Sequence, residues 1–168
     1  MRNAVLAVSL LVLLAGCQVA PKPQEVVSRK VPFPEEYYAQ LEKEGTSTIT
    51  GQVFMTTRGG DVKYGAGRQV SLTPVNPYTT EATQAMMGGR VIEDADPRAS
   101  EFTRNKIADG QGRFEFNNLP AGRYYVASSV YWQVYSGNRY IGMQDQGGVI
   151  VRIAEVGEGE TEEIMLNR

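Results

Sequence analysis

The sequence predicts an all-β sandwich of seven to eight strands, with a short N-terminal helix and one long inserted loop. Three observations carry that reading. Apolar residues recur with period two from Thr46 onward, the spacing of half-buried strands. Turn residues punctuate them at short intervals, as in sandwiches. Glycine (18 residues) and tyrosine (9 residues) are both prominent among 168; glycine exceeds its usual share of about 7%, and tyrosine favours strands.

The amino terminus reads as an address. Met1-Arg2-Asn3 is a positive start, Ala4 to Leu14 is an apolar run, and Ala15-Gly16-Cys17 follows. This is the secretory signal pattern. A run of about 11 residues is too short to cross a hydrocarbon core of roughly 30 Å as a helix. The stretch Leu14-Ala15-Gly16-Cys17 resembles the bacterial lipobox, whose cysteine is diacylated and becomes the first residue after cleavage. That resemblance implies a signal peptide over 1–16 and a lipid anchor at Cys17, with palmitate among its acyl chains. Two or more chains give stable anchoring. Gln18, rather than aspartate, follows Cys17, which by the same resemblance favours the outer membrane over the inner.

Residues 17–45 read as a spacer. Four prolines fall between Gln18 and Pro34, and proline blocks helices and sheet ladders alike. A tether of extended backbone is expected, then a short helix from Pro34 to Gly45. Proline in the first turn, Glu35 and Glu36 near the start and a terminal glycine are helix boundary signals. Tyr37, Tyr38 and Leu41 share its apolar side, and it is expected to dock on the sandwich.

The sandwich itself is expected over 46–168. Ile49, Gly51, Val53 and Met55 alternate with polar neighbours. Val70 and Leu72 follow a glycine-rich turn region. Phe114 and Phe116 share one face. Tyr124, Val126, Val130, Trp132 and Val134 alternate with Tyr125, Tyr131 and Tyr135. Val149, Val151 and Ile153 share a face, and Ile164 and Leu166 end the chain. Asp109-Gly110-Gln111-Gly112 and Ser136-Gly137-Asn138 read as hairpin turns, since both offer residues that tolerate positive φ. Residues 74–100 are the exception. Pro74, Pro77, Pro97 and Gly88-Gly89 interrupt any strand. A loop is expected there, with a short helix over Thr80–Met87 capped by Thr79 or Thr80.

Four segments together resemble a known module: Ile49-Thr50-Gly51-Gln52-Val53, Gly67 to Pro74, Ala108 to Phe116, and Leu119-Pro120-Ala121-Gly122-Arg123-Tyr124-Tyr125-Val126. They are similar to the carboxypeptidase regulatory-like family, a prealbumin (transthyretin)-like Greek-key β-sandwich. The resemblance spans about 46–167 and treats 74–100 as an insertion. Its motif residues are folding residues, so it implies a fold and not an activity.

Composition narrows the chemistry further. The chain has no histidine and one cysteine. That excludes a Ser-His-Asp triad, a Cys-His pair, imidazole-ligated zinc and an intrachain disulfide. It also removes the histidine-dependent enzymes built on prealbumin-like sandwiches. Lys and Arg number 17 against 19 Asp and Glu, without the basic excess that nucleic-acid binding requires. Glu93-Asp94-Ala95-Asp96 does not match a calcium-loop spacing and reads as a solvated acidic loop. No catalytic residue, metal or cofactor is expected.

The expected function is therefore a non-catalytic, membrane-anchored lipoprotein of the bacterial envelope that presents a structural or interaction module to a protein partner. Tyr125, Tyr131, Tyr135 and Tyr140 are the candidate binding face, because tyrosine joins apolar area to a hydroxyl. Two alternatives share that architecture: a module binding glycan or peptidoglycan, and a secretion-system outer-membrane lipoprotein.

Overall fold

A computed structural model describes residues 26–168. The signal segment, the lipobox and Cys17 lie outside the described residues. The strands are β1 (Val26–Val27), β2 (Ser47–Thr56), β3 (Val62–Tyr64), β4 (Gln69–Pro74), β5 (Val91–Ile92), β6 (Arg104–Ile107), β7 (Arg113–Leu119), β8 (Gly122–Tyr135), β9 (Met143–Val156) and β10 (Thr161–Asn167). The helices are α1 (Glu35–Gln40), α2 (Pro77–Met87) and α3 (Pro97–Ser100). None is long and apolar enough to cross a membrane.

Eight strands form the all-β sandwich. One sheet runs β10-β2-β3, with β7 also paired to β2; the other runs β6-β4-β8-β9. The pairing of β10 with β2 is parallel, and the other pairings within these two sheets are antiparallel. The alternation read from the sequence places the core. Ile49 and Val53 of β2, Val70 and Leu72 of β4, Phe116 and Leu119 of β7, Val126 of β8 and Leu166 of β10 are fully buried between the sheets. Phe114 and Phe116 share the inner face as expected and meet edge to face at 5.9 Å.

One local expectation is corrected. The Asp109–Gly112 turn is tight, with Gly112 N–H donating to Asp109 O at 3.0 Å, but it makes no hairpin. It carries the chain from β6 in one sheet to β7 in the other. The Pro120–Gly122 reversal delivers β8 to the sheet of β4 and β9. Val149, Val151 and Ile153 share a face as expected, and it is the outer one; Ile150, Ala154 and Val156 point into the core.

The 74–100 insertion contains the expected short helix, with a different start and cap. Helix α2 starts at Pro77, earlier than the pattern predicts. Its cap is Asn76, whose side chain accepts from Thr79 N–H while Thr79 Oγ1 accepts from Asn76 N–H. Proline at the first helical position favours that start. Short β5 pairs in parallel with β1, so the tether is docked on the insertion from Val26 onward. The acidic stretch is not merely solvated. Glu93 accepts Ser28 Oγ–H and Arg29 N–H at 2.8 and 2.9 Å, and Asp96 caps α3.

Helix α1 is shorter than expected. Its Tyr38 is buried in a second apolar cluster with Tyr78 and Ala99, against Phe33, Leu41 and Phe102. Phe33 stacks on Tyr38 at 4.9 Å and meets Tyr78 edge-on at 5.9 Å. Such pairs each contribute about 0.5–1.5 kcal/mol beyond area burial. The N-terminal segment, α1 and the insertion thus make one arm with its own small core.

Candidate binding cleft

Strand β8 is 14 residues long, but its pairs with β4 end at Ala127. Beyond that point β8 continues paired to β9 alone, out to Tyr135 opposite Met143. The hairpin therefore overhangs the sandwich. Cross-strand partners share a face, so the inward face of the overhang carries Trp132 with Gln146, and Val134 with Gln144. Trp132 is half-buried against the core. Beside it, a Cβ on Gly147 would stand 3.1 Å from Trp132 Cζ3 and 2.0 Å from Val130 O. Only glycine lets the indole and the neighbouring strand close at that place.

Opposite this face stands the β2–β3 turn. Thr57 N–H donates to Asp61 O at 2.8 Å and Thr57 Oγ1 accepts from Asp61 N–H at 3.0 Å, which fixes its shape. Between turn and overhang lies a cleft of about 930 Å³. Trp132, Gln144, Gln146, Arg58, Asp61 and Lys63 line it, with Tyr135 and Arg168 at its margins. An indole, two primary amides and charges of both signs converge on it. Among the described residues, no group of three or more acidic or thiol side chains is placed to hold a metal.

The four predicted tyrosines do not make one platform. Tyr125 is half-buried beneath α2, and its hydroxyl is 3.0 Å from Thr80 Oγ1. Tyr131 lies on the same outer face of β8, about 20 Å further along at 3.4 Å per residue. It is 46% exposed, with the Arg68 guanidinium 5.9 Å from its ring. Tyr135 is exposed at the end of β8 and reaches the cleft. Tyr140 sits in the Ser136–Gly142 loop rather than across a short turn, and is 86% exposed. Sequence reasoning assigned Trp132 to the core face and passed over Gln144 and Gln146. The signal was the length of β8: an alternation that outruns its covering sheet leaves its inner face open.

No protein-family model matches the chain, and no curated protein is similar to it. Among solved structures it is similar to the Pseudomonas aeruginosa protein PA1324, provisionally described as carbohydrate binding. The TM-score is 0.73 and the identity 26%, over 81% of this chain and 97% of that one. A 9R-lipoxygenase from Cyanothece overlaps 88% of this chain and 18% of its own, at a TM-score of 0.29 and 14% identity; that overlap carries no argument. Fold and neighbour together support a β-sandwich binding module.

Proposed function

We propose that the chain is a non-catalytic binding module of the bacterial cell envelope, anchored through Cys17 to the outer membrane, and that the cleft beneath the β8–β9 overhang binds glycan. The carrying observation is the convergence of Trp132 with Gln144 and Gln146 in one open cleft. An indole covers the apolar C–H face of a sugar ring, while each amide both donates to and accepts from hydroxyls. The likeness to PA1324 supports this reading. The carboxypeptidase regulatory-like resemblance belongs to the proposal too and rests on the sequence motifs.

Affinity electrophoresis across a panel of soluble polysaccharides and peptidoglycan fragments tests it. Wild type is retarded by at least one glycan, and Trp132→Ala and the Gln144→Ala/Gln146→Ala double variant migrate freely. The double variant changes exposed side chains and guards against misfolding of the tryptophan variant. A wild type that no glycan retards ends the glycan reading.

A protein partner is the second reading. It is favoured by the outer face of the same hairpin, where Tyr131, Tyr135, Met143 and Ile153 are 46–61% exposed.

A further inference from the structure

A second concavity lies on the outer side of the β4–β8 sheet, away from the core and from the cleft. Its floor is Ser71, Tyr125 and Ala127; its roof is α2, through Ala82 and Met86; its side wall is Ile92 with Arg29. The small side chains of Ser71 and Ala127 leave the space open. The contact of Tyr125 hydroxyl with Thr80 Oγ1 fixes the height of the helix above the sheet. The volume is about 380 Å³, within the range of small-molecule sites, roughly 300–1,000 Å³.

Its charge is opposite to that of the chain. Arg29 and Arg90 both line it and no acidic side chain does, whereas the chain carries −2. Arg29 Nε donates to the carbonyls of Glu93 and Asp94 at 3.0 and 3.2 Å. Its guanidinium lies 4.3 Å from the centre of the Tyr78 ring. Its Nη1 is buried with no hydrogen-bond partner among the described residues. No ion pair joins Arg29 to the nearby carboxylates among the described residues: Glu81 accepts Lys30 and Val31 N–H, and Glu93 accepts Ser28 Oγ–H and Arg29 N–H. A buried donor without an acceptor is costly and uncommon. An anion lodged in the pocket would meet the guanidinium through its charge.

We propose that this pocket is a second binding site, separate from the cleft, for a small organic anion with an apolar body. The anionic group sits at Arg29 and Arg90. The apolar body lies between Met86, Ile92 and Ala127. The proposal stands whether or not the cleft binds glycan.

The test uses two fluorescent probes of like shape: 1-anilinonaphthalene-8-sulfonate, an anion, and N-phenyl-1-naphthylamine, its uncharged counterpart. The full chain is expected to bind the anion with one-to-one stoichiometry and at least tenfold more tightly than the neutral probe. Arg90→Gln, at an exposed residue that leaves the arm's packing alone, removes about tenfold of anion affinity and little for the neutral probe. Ala127→Leu fills the floor and abolishes binding of both probes, with the far-UV circular dichroism unchanged. The Gln144→Ala/Gln146→Ala double variant leaves anion binding intact, which separates the two sites. Equal affinity for the two probes, or anion binding that survives both Arg90→Gln and Ala127→Leu, overturns the proposal.

Discussion

At Gly112 φ is +77°, and a Cβ there would stand 2.4 Å from the carbonyl oxygen of Val53. Left-handed backbone costs a side-chain-bearing residue roughly 1–2 kcal/mol, and the close approach adds to it. Gly112→Ala is expected to cost more than about 2 kcal/mol, read as a lower urea midpoint at unchanged slope. The same turn depends on Asp109, whose Oδ1 accepts the N–H groups of Arg113 and Gln111, each at 2.8 Å. Those donors hold its carboxyl below the usual range. In the core, Phe116 is 1% exposed, and Phe116→Ala is expected to cost about 3–5 kcal/mol in the same measurement. Such residues were legible in the sequence because a tight turn and a period-two face are properties of neighbours along the chain. Trp132 was not. Whether an inward-facing indole is covered depends on where the opposite sheet stops.

The arm, as an element, is held together by polar contacts as well as by its small core. Asn76 caps α2, lies buried, and donates through Nδ2 to Tyr38 Oη at 3.2 Å. Asn76→Ala is expected to cost about 0.5–2 kcal/mol, the value of a helix cap, and to weaken the near-ultraviolet signal of the aromatic cluster. The N-terminal segment depends on carboxylates. The N–H groups of Lys30 and Val31 hold Glu81 below the ordinary carboxylate range, and Arg29 N–H with Ser28 Oγ–H does the same for Glu93. A carboxyl lowered on folding contributes stability above its unfolded value, about 4.3 for glutamate. That contribution is lost as pH falls through the lower folded value. On acidification from pH 6 the arm's near-ultraviolet signal is therefore expected to fade below about pH 4, before the far-ultraviolet signal of the sandwich. Glu93→Gln makes the change shallower by removing one of the protons taken up. An acid-insensitive arm would contradict this account. The sequence suggested a loop here because Pro74, Pro77 and Pro97 interrupt strands. What organises the insertion is a long-range match: Val26–Val27 against Val91–Ile92, and Tyr38 against Tyr78.

For the whole molecule, the anchor proposal makes a simple prediction. Cys17→Ser is expected to abolish incorporation of labelled palmitate and to move the protein from the membrane to the soluble periplasmic fraction. An unacylated, soluble wild type would remove the anchor from the account. The fold class was readable from strand alternation and turn chemistry, both of them short-range. The enzyme classes ruled out followed from composition, since chemistry that needs imidazole cannot proceed without it. Which strands meet was another matter: Asp109–Gly112 changes sheet where a local reading sees a hairpin. Both concavities arise in the same way, one where β8 and β9 outrun the sandwich and the other where an inserted helix rests above small side chains. Neither is encoded by a motif, because each is a space between elements distant in the chain, and only the packed structure brings its walls together.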